Sequence, residues 1–418
     1  GGGGMQSVYL NNEAHVIEFA NKVSNGYVYV LENTLTPLTE SVYARISESG
    51  RPYTILKSAM DATGVGAELD VIYDDIVDDL GQTTQQKRNY TLLAVSDDVF
   101  KEAGVNSLQD LVQLLGAGSD YTNPENVLYQ YVAYHVLDGS YDLSKLRSFD
   151  TPDATSKIWN TLNAGSVIRI SKEDKIFYLN YRDENRACFV EDYCNYIHQV
   201  SSYLPVAEAE PETVLFDVCN YSIIGDWIAA GNGEDGIKFQ ESFGTAEKKC
   251  DVSGLNCYEY SLNNPSGTYG SYYNVTYFTT RTNNGWNTAN NMDFLMLNLG
   301  NTGWVSMQTP SIIKGKYKVT LRFGYATSME FIRTSTGGSN GGKMIFSFDG
   351  ENSVTCAPYT TVPSKTLGCY SYVLYSELEF TETSTHTFRL VMNDPAASKD
   401  PNYRILIDYL LFEPIFDE

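Results

Sequence analysis

Hydrophobic and polar positions along this chain change their spacing once, near residue 213. Before that point, apolar residues recur at the three-and-four spacing of a helix. In PYTILKSAMDATG (52–64), for example, Ile55 and Ala59 share one face before a stop at Gly64. After residue 213, short runs of alternating apolar and polar residues follow one another. The pattern predicts a mixed helix and strand region followed by an all-β region.

Residues 38–118 read mostly as helices, with Thr39 as the candidate N-cap of the first one. The apolar run YTLLAVS (90–96) predicts a short strand, and Ser96 is placed to cap the helix that follows it. A further helix is predicted to begin at Asn106-Ser107. These elements are enough to build one α+β domain.

The second region contains five clear strand patterns, separated by turn residues. They are YKVTLRFGYAT (317–327), KMIFSFDG (343–350), YVLYSELEF (372–380), HTFRLVMND (386–394) and RILIDYLLFEPI (404–415). Regular short strands with turns between them are typical of a β-sandwich or jelly roll. The acidic, proline-containing segment VAEAEPETV before this region has the composition of a domain linker.

Charge and composition limit the partners. The chain of 418 residues carries 29 Lys and Arg against 52 Asp and Glu, a net charge of −23. Nucleic acid or an anionic membrane surface would repel such a chain, so neither is an expected partner. Tyrosine is unusually frequent, at 32 residues, which favours sheets and contact surfaces. No apolar run is long enough for a membrane-spanning helix, and no signal-peptide pattern is present.

The seven cysteines all lie in the second half and form no Cys-x-x-Cys pair, which argues against a zinc or redox site. Cys250 with Cys257, and Cys356 with Cys369, could close short disulfide loops in an oxidising compartment. Free thiols are an equal alternative, so the cysteines leave the compartment open.

Four segments resemble the fasciclin domain. YTLLAVSDDVF (90–100) is similar to the family's early strand motif, although Val95-Ser96 stands where Ala-Pro is usual, and YHVLDG (134–139) is similar to its central Tyr-His motif. NGYVYVLENTLTP (25–37) and CNYIHQVSSYLPV (194–206) both resemble its closing strands. The resemblance implies one fasciclin-like domain at 38–212. It also implies that residues 1–37 are a glycine leader plus the closing strands of a preceding fasciclin-like domain.

Residues 213–418 resemble galactose-binding-like β-sandwiches, the architecture of many non-catalytic carbohydrate-binding modules. The resemblance rests on GKYKVTLRFGYA, IFSFDG, THTFRLVMND and ILIDYLLFEPI. The predicted fold class is therefore a multidomain chain, with α+β fasciclin-like domains followed by an all-β jelly-roll sandwich. No cofactor is required, but such sandwiches often hold a structural calcium ion near their first and last strands, and this resemblance matches Glu241 and Asp408 to that site.

The candidate ligand site lies in the loop that contains Trp286. Pyranose rings present flat apolar faces rimmed by hydroxyls, so a sugar site needs an aromatic platform beside polar donors and acceptors. The predicted ligand-binding residues are Arg281, Asn283, Asn284, Trp286, Asn287, Asn291, Tyr272 and Tyr273. The alternatives are an ordinary Asn/Gly turn anchored by Trp286, and a tyrosine-rich sandwich face with no ligand. Trp304, which precedes the alternating run VSMQ, is predicted to lie in the core.

No catalytic motif is found. The four histidines form no recognisable triad or metal motif, and no nucleophile elbow, P-loop or dinucleotide fingerprint is present. A non-enzyme is therefore expected. The domain combination resembles surface lipoproteins of SusC/SusD-type glycan-uptake systems, which implies an exported protein at the cell surface of an outer membrane. Its partners would be a glycan and the transporter, with a lipid anchor outside these residues. The alternatives are an adhesion or assembly subunit that binds protein through its fasciclin-like and tyrosine-rich surfaces, and an enzyme whose carboxylates meet only in the fold.

Overall fold

The chain forms two compact units, Gly1–Ala207 and Glu208–Glu418, a division close to the predicted boundary after residue 212. The computed structural model describes residues 9–10, 14–23, 26–32, 41–77, 83–149, 156–180, 187–194, 196–221, 223–225, 240–242, 247–251, 255–280, 285–326, 329, 342–362, 367–394 and 404–416. None of the helices in these ranges is both long enough and apolar enough to cross a bilayer.

The first unit opens with a small antiparallel sheet of three strands, β1 (Tyr9–Leu10), β2 (Ala14–Val23) and β3 (Gly26–Leu31), in that order. β2 and β3 form a hairpin in which Val23 pairs with Gly26. The side chains of Ile17, Val28 and Tyr29 are exposed to solvent. The hairpin therefore presents apolar groups on its surface.

Seven helices follow in the described part of this unit: α1 (Val42–Ile46), α2 (Thr54–Thr63), α3 (Val65–Leu69), α4 (Asp97–Glu102), α5 (Leu108–Leu115), α6 (Val127–Tyr134) and α7 (Leu143–Leu146). The predicted cap holds for α4, where the hydroxyl of Ser96 accepts a backbone N–H group. The predicted start of α5 is also confirmed, and the Ser107 hydroxyl caps that helix. The cap of α1 was predicted wrongly. Ser41 caps it, accepting from the Ala44 N–H at 2.8 Å, and Thr39 lies outside the described residues.

The acidic segment before the first buried strand forms a separate hairpin of β4 (Tyr73–Val77) and β5 (Thr83–Lys87). The main sheet of the unit contains β6 (Tyr90–Ala94), β7 (Val136–Asp138), β8 (Ser156–Asn160), β9 (Val167–Glu173), β10 (Ile176–Leu179), β11 (Ala187–Cys194) and β12 (Ile197–Val200). Its order is β7-β6-β12-β11-β10-β9-β8, with β6 and β12 parallel. A bridge between Leu137 and Thr161 brings the two outer strands together, so the sheet curls towards closure.

The second unit is built from two antiparallel sheets. The larger contains β13 (Val214–Asp217), β14 (Gln240–Ser242), β15 (Glu247–Asp251), β17 (Asn274–Thr280), β18 (Asp293–Asn298), β20 (Gly315–Tyr325), β23 (Gly368–Phe380) and β25 (Ile405–Ile415). The smaller contains β16 (Glu259–Ser261), β19 (Trp304–Gln308), β21 (Met344–Phe348), β22 (Glu351–Cys356) and β24 (Thr387–Met392). Their orders are β14-β15-β17-β18-β25-β20-β23, with β13 paired to β25, and β16-β19-β24-β21-β22.

The two sheets share one hydrophobic core. Alternate residues of β20 are buried while those between are partly exposed, which is the pattern of a strand with one face towards the core. Phe348 meets Phe388 and Phe412 with ring centroids 5.5 and 5.7 Å apart. Aromatic residues thus fill much of the space between the sheets.

The predicted fold class is confirmed, because an α+β unit precedes an all-β sandwich. The structure distinguishes between the two alternatives left open for the cysteines, disulfide loops and free thiols. Cys219, Cys257, Cys356 and Cys369 are free thiols, so neither predicted disulfide loop forms.

Candidate functional site

Trp286, the predicted sugar platform, is buried. Only 6% of its surface is exposed, and its ring packs edge-on against Phe278 and Phe294, with centroids 5.4 and 6.1 Å away. Its Nε1–H donates to the Tyr325 carbonyl at 3.0 Å. The predicted platform is therefore wrong for this residue, and the alternative of a tryptophan that anchors its loop on the sandwich is the one observed.

Gly285 allows the loop to approach the sheet this closely. Its φ is +93°, and a Cβ at this position would lie 2.7 Å from the Leu367 carbonyl oxygen. Any L-residue here would be strained in conformation and would also collide with the neighbouring backbone. The glycine therefore lets the next residue, Trp286, reach the core.

The other predicted ligand residues are dispersed. Tyr272 is 53% exposed, whereas Tyr273 is buried. Asn287 is exposed, and Asn291 donates its amide to the carboxylate of Asp217. Three further predicted residues, Arg281, Asn283 and Asn284, lie outside the described residues.

Three buried aspartates converge beneath this loop. Asp217 ends β13, Asp293 begins β18 and Asp408 lies within β25, and their exposed fractions are 5%, 9% and 1%. β13 and β18 both pair with β25 close to Asp408, which explains how residues so distant in sequence meet. Ligand atoms of Asp217, Asp293 and Cys219 all lie within 4.8 Å of one another.

A β-bulge sets the position of Asp408. On β20, the consecutive residues Arg322 and Phe323 pair with Tyr409 and Ile407. Asp408 is thus the extra residue, and bulges of this kind redirect a side chain. Its Oδ1 accepts the backbone N–H of Asn290 at 3.0 Å, while its buried Oδ2 has no hydrogen-bond partner and lies 3.4 Å from Arg322 Nε.

The loop 290–292 covers the cluster from above. Oδ2 of Asp217 accepts the side-chain amides of Asn290 and Asn291 at 2.7 and 3.0 Å. Asn291 and Met292 have φ values of 51° and 56°, a left-handed pair in which asparagine is far better tolerated than methionine. The strained backbone is what turns both amides towards the aspartates.

Burial and mutual repulsion change the acidity of the cluster. Burial, together with the nearby charge of Asp217, raises the pKa of Asp293 to about 7 and that of Asp408 to about 8. Burial also raises the pKa of Asp217, against the hydrogen bonds from Cys219, Asn290 and Asn291. Three carboxylates this close need protons or a cation to balance their charge.

The donor set fits a hard cation such as Ca²⁺, which prefers oxygen ligands. Asp217 and Asp293 would hold it, and rotation of the Asn290 or Asn291 amide would present an oxygen in place of a nitrogen. Burial raises the pKa of the Cys219 thiol, which keeps it protonated and unsuited to a soft metal. The close approach of the Asp217 and Asp293 carboxylates, whose ligand atoms lie within 4.8 Å of each other, is the observation that best supports this assignment.

Glu241, the predicted partner of Asp408, does not belong to this cluster. It lies on β14, four strands from β25 in the sheet, or about 19 Å at the usual strand spacing. Asp217 is the residue of the first strand that reaches Asp408. Its signal in the sequence is the single carboxylate that interrupts the apolar run VLFDV.

A second tryptophan lies on the surface. Val305 and Met307 of β19 are buried in the core, so Trp304, Ser306 and Gln308 point to the opposite face of the smaller sheet. Trp304 is partly exposed, and the guanidinium carbon of Arg389 lies 4.0 Å from its ring centroid. The prediction that Trp304 lies in the core was wrong because an isolated aromatic residue at a strand start does not reveal which face it joins.

Polar and small apolar side chains frame Trp304 on this face. Trp304 pairs with Val391, and Val391 pairs in turn with Ile345 of β21. Two positions further on this face, beyond the buried Ser306, the Gln308 amide donates to the Thr387 hydroxyl at 2.9 Å. The face, called here the Trp304 face, combines an aromatic ring with a cation, hydroxyls and an amide.

One protein-family model matches the sandwich. Residues 216–415 match the family model described as a domain of unknown function (DUF5108), which is slightly less than half of the chain and lies within the second unit. None of the curated proteins matches the chain.

Solved structures similar to the chain include the FAS1 domain pair of the insect cell adhesion molecule fasciclin I, with 16% identity and a TM-score of 0.30 over 47% of this chain and 60% of that one. Paenibacillus xanthan lyase shows 9% identity and a TM-score of 0.27, over 63% of this chain and 23% of that one. The CBM35 of Cellvibrio japonicus Abf62 shows 12% identity and a TM-score of 0.21, over 48% of this chain and 92% of that one. The chain thus spans less than two thirds of the first two structures, and its function has to be argued from its own residues.

Proposed function

We propose that the sandwich unit is a non-catalytic glycan-binding module and that the chain works at the cell surface. The observation that carries this proposal is the Trp304 face. Trp304 is partly exposed, and the Arg389 guanidinium lies over one face of its ring. The remaining exposed surface of the ring would supply the apolar contact, and the guanidinium the hydrogen-bond donor, that a pyranose requires.

The three aspartates have a structural role in this proposal. They are buried, and Asp217 and Asp408 are already held by the loop 290–292. A polysaccharide chain has no access to them as a pair of catalytic carboxylates, which would have to flank an exposed glycosidic bond. A bound calcium ion would instead fix the loop on the sandwich by replacing repulsion between carboxylates with shared coordination.

The proposed location of the chain and its transporter partner follow from the architecture and the charge. A strongly acidic chain with a net charge of −23 stays soluble and is repelled from anionic lipid. We therefore assign it a position at the outer membrane through a lipid anchor rather than through its own surface, beside a SusC/SusD-type importer, where the sandwich would hold oligosaccharides for uptake. This part rests on analogy between architectures.

Affinity electrophoresis tests the glycan-binding proposal. The purified chain is run through native gels that contain different polysaccharides, beside Trp304→Ala and the control Tyr272→Ala, which also removes an exposed aromatic ring. One or more polysaccharides should retard the wild type and the control but not Trp304→Ala. Incubation with the same polysaccharide should release no sugar. Equal mobility of all three proteins in every gel would contradict glycan binding at this face.

A second candidate function, adhesion or assembly through a protein partner, is favoured by one observation. The hairpin of β2 and β3 exposes Ile17, Val28 and Tyr29, with Val28 and Tyr29 on opposite faces, and exposed apolar side chains often mark protein contacts. Ile17→Ser with Val28→Ser should abolish recovery of membrane partners in a pull-down if this function is the main one, and should leave polysaccharide retardation unchanged.

A further inference from the structure

A cavity opens between the edges of the two sheets of the sandwich. Among the described strands, β22 pairs only with β21 and β23 only with β20, so both are sheet edges on the same side. The cavity between them has a volume of about 500 Å³, a size typical of small-molecule sites. It involves neither Trp304 nor the three aspartates.

The wall of this cavity is acidic. Asp349, Glu351, Glu377 and Glu379 line it, and no lysine or arginine does. Glu377 already has a cationic partner outside the lining, because Lys316 Nζ lies 3.5 Å from its Oε1. A negatively charged ligand such as a uronic acid would be repelled, whereas a cation would be attracted.

A single metal ion does not match this arrangement. Within the described ranges, the carboxylates of Asp217 and Asp293 lie close enough to share one ion. No three of the cavity's acidic side chains lie that close together. Separate carboxylates suit several positive groups spaced along one molecule better than one compact ion.

His386 forms a buried pair with Asp349 at the wall of the cavity. It is 6% exposed, and its Nδ1 lies 2.6 Å from Asp349 Oδ2. Its Nε2 is enclosed, so a ligand in the cavity would not reach that atom. The carboxylates that line the cavity are acceptors, and they call for a ligand rich in N–H and O–H groups.

We propose that this cavity, here called the acidic cavity, binds amino sugars with free ammonium groups, such as oligomers of glucosamine. The ammonium groups would pair with Glu351 and Glu379, and the sugar hydroxyls would bond to the amide of Asn352 and the hydroxyls of Ser353 and Thr381, which also line it. A lysine side chain could pair with the carboxylates, but it has no hydroxyl groups to bond to Asn352, Ser353 and Thr381. The inference rests on the proposed glycan binding and adds a charged class of glycan at a site separate from the Trp304 face.

Isothermal titration with tetrameric glucosamine, tetrameric N-acetylglucosamine and tetralysine tests the proposal. The double variant Glu351→Gln with Glu379→Gln removes two exposed carboxylates without changing their shape. Its matched control is Glu102→Gln with Glu125→Gln, which removes two exposed carboxylates from the first unit. The wild type and control should bind the glucosamine tetramer, and the Glu351/Glu379 variant should bind it about tenfold more weakly.

Three results would overturn the acidic cavity as an amino-sugar site. They are binding of the acetylated tetramer as tight as that of the free amine, tetralysine binding as tight as the sugar, and no loss in the Glu351/Glu379 variant. Trp304→Ala should leave this binding unchanged. The two proposals therefore fail separately, because loss of polysaccharide retardation depends on Trp304 and loss of glucosamine binding depends on the cavity.

Discussion

A buried histidine of the first unit and two buried aspartates of the second have pKa values shifted in opposite directions, and the difference separates a structural role from a ligand-binding one. In the first unit, burial lowers the pKa of His135 to about 4, against hydrogen bonds to the Tyr131 and Tyr203 backbone. The imidazole is therefore neutral at physiological pH and needs no counter-ion. In the second unit, Asp293 and Asp408 have pKa values of about 7 and 8, so near neutral pH they are partly charged and need a partner.

The two tryptophans of the sandwich provide a second contrast. Trp286 lies in a loop full of amides and glycines, the composition of a ligand site, yet its ring is buried against Phe278 and Phe294. Trp304 lies in a regular strand, yet it is partly exposed, with the Arg389 guanidinium over its ring. Composition around a tryptophan is thus a weaker guide to its role than the face of the sheet on which it stands.

The largest effect is expected from Trp286→Ala. Removing a buried aromatic side chain leaves a cavity and should lower the free energy of unfolding of the sandwich by about 3–5 kcal/mol. Urea unfolding followed by circular dichroism measures the loss, with Trp286→Phe as the smaller, shape-related control. A loss below about 1 kcal/mol would mean that Trp286 is not a core residue.

Opposite pH dependences should distinguish the two units. The folded pKa of His135 lies below its unfolded value of 6.5, so its contribution is complete above pH 6.5 and is lost as the pH falls towards 4. The contribution is about 3 kcal/mol, because one pKa unit corresponds to 1.36 kcal/mol. The folded pKa values of Asp293 and Asp408 lie above the ordinary 3.8, so their contribution is complete below about pH 4 and is lost as the pH rises through 7 and 8.

Hydrogen exchange followed by mass spectrometry, in the presence of a chelator, resolves the stability of each unit across this pH range. Asp408→Asn should flatten the pH dependence of the sandwich and leave that of the first unit unchanged. Parallel pH profiles for the two units would contradict the contrast between buried histidine and buried aspartates.

Calcium should stabilise the sandwich alone. At a concentration about 100 times its Kd, a ligand that binds only the folded state adds about 2.7 kcal/mol, which for a unit of this size raises Tm by roughly 5–10 °C. Differential scanning calorimetry with calcium and with chelator measures the shift. Asp217→Asn and Asp293→Asn should abolish it, whereas Glu241→Gln should retain it. A full shift in Asp217→Asn would place the ion elsewhere.

The smallest effect on stability is expected from Trp304→Ala. Because the ring is only partly covered, its removal should change the free energy of unfolding by less than about 1 kcal/mol, even though polysaccharide binding is lost. Urea unfolding of Trp304→Ala beside Trp286→Ala makes the comparison direct. A loss as large as that of Trp286→Ala would return Trp304 to the core.

Local features of the fold were predictable because they depend on neighbouring residues. Ser96 was recognised as a cap, the helix start at Asn106-Ser107 was recognised, and the strands around Val319 and Leu390 were recognised by their alternation. The carboxylate cluster was only half predictable. Asp408 was identified, but Asp217 and Asp293 join it through strand pairings across long loops, and Glu241 was chosen in place of Asp217. Strand order in a sheet is a long-range property, and the period of a single strand does not contain it.

The same limit explains the misassigned tryptophans. Periodicity gives the parity of a residue along a strand, but the core-facing parity is fixed by packing against the second sheet. Trp286 is buried because its own loop bends at Gly285 and so brings the ring into the core. No pattern in the sequence shows that a loop will fold back over a sheet.

Hydroxyl-radical footprinting with a retarding polysaccharide is the most direct test of the central claim that the Trp304 face binds glycan. Oxidation of each aromatic residue is measured by peptide mass spectrometry with and without the polysaccharide. The account predicts that Trp304 becomes protected while the exposed Tyr272 remains as reactive as before. Unchanged oxidation of Trp304 at a polysaccharide concentration that saturates retardation would contradict it.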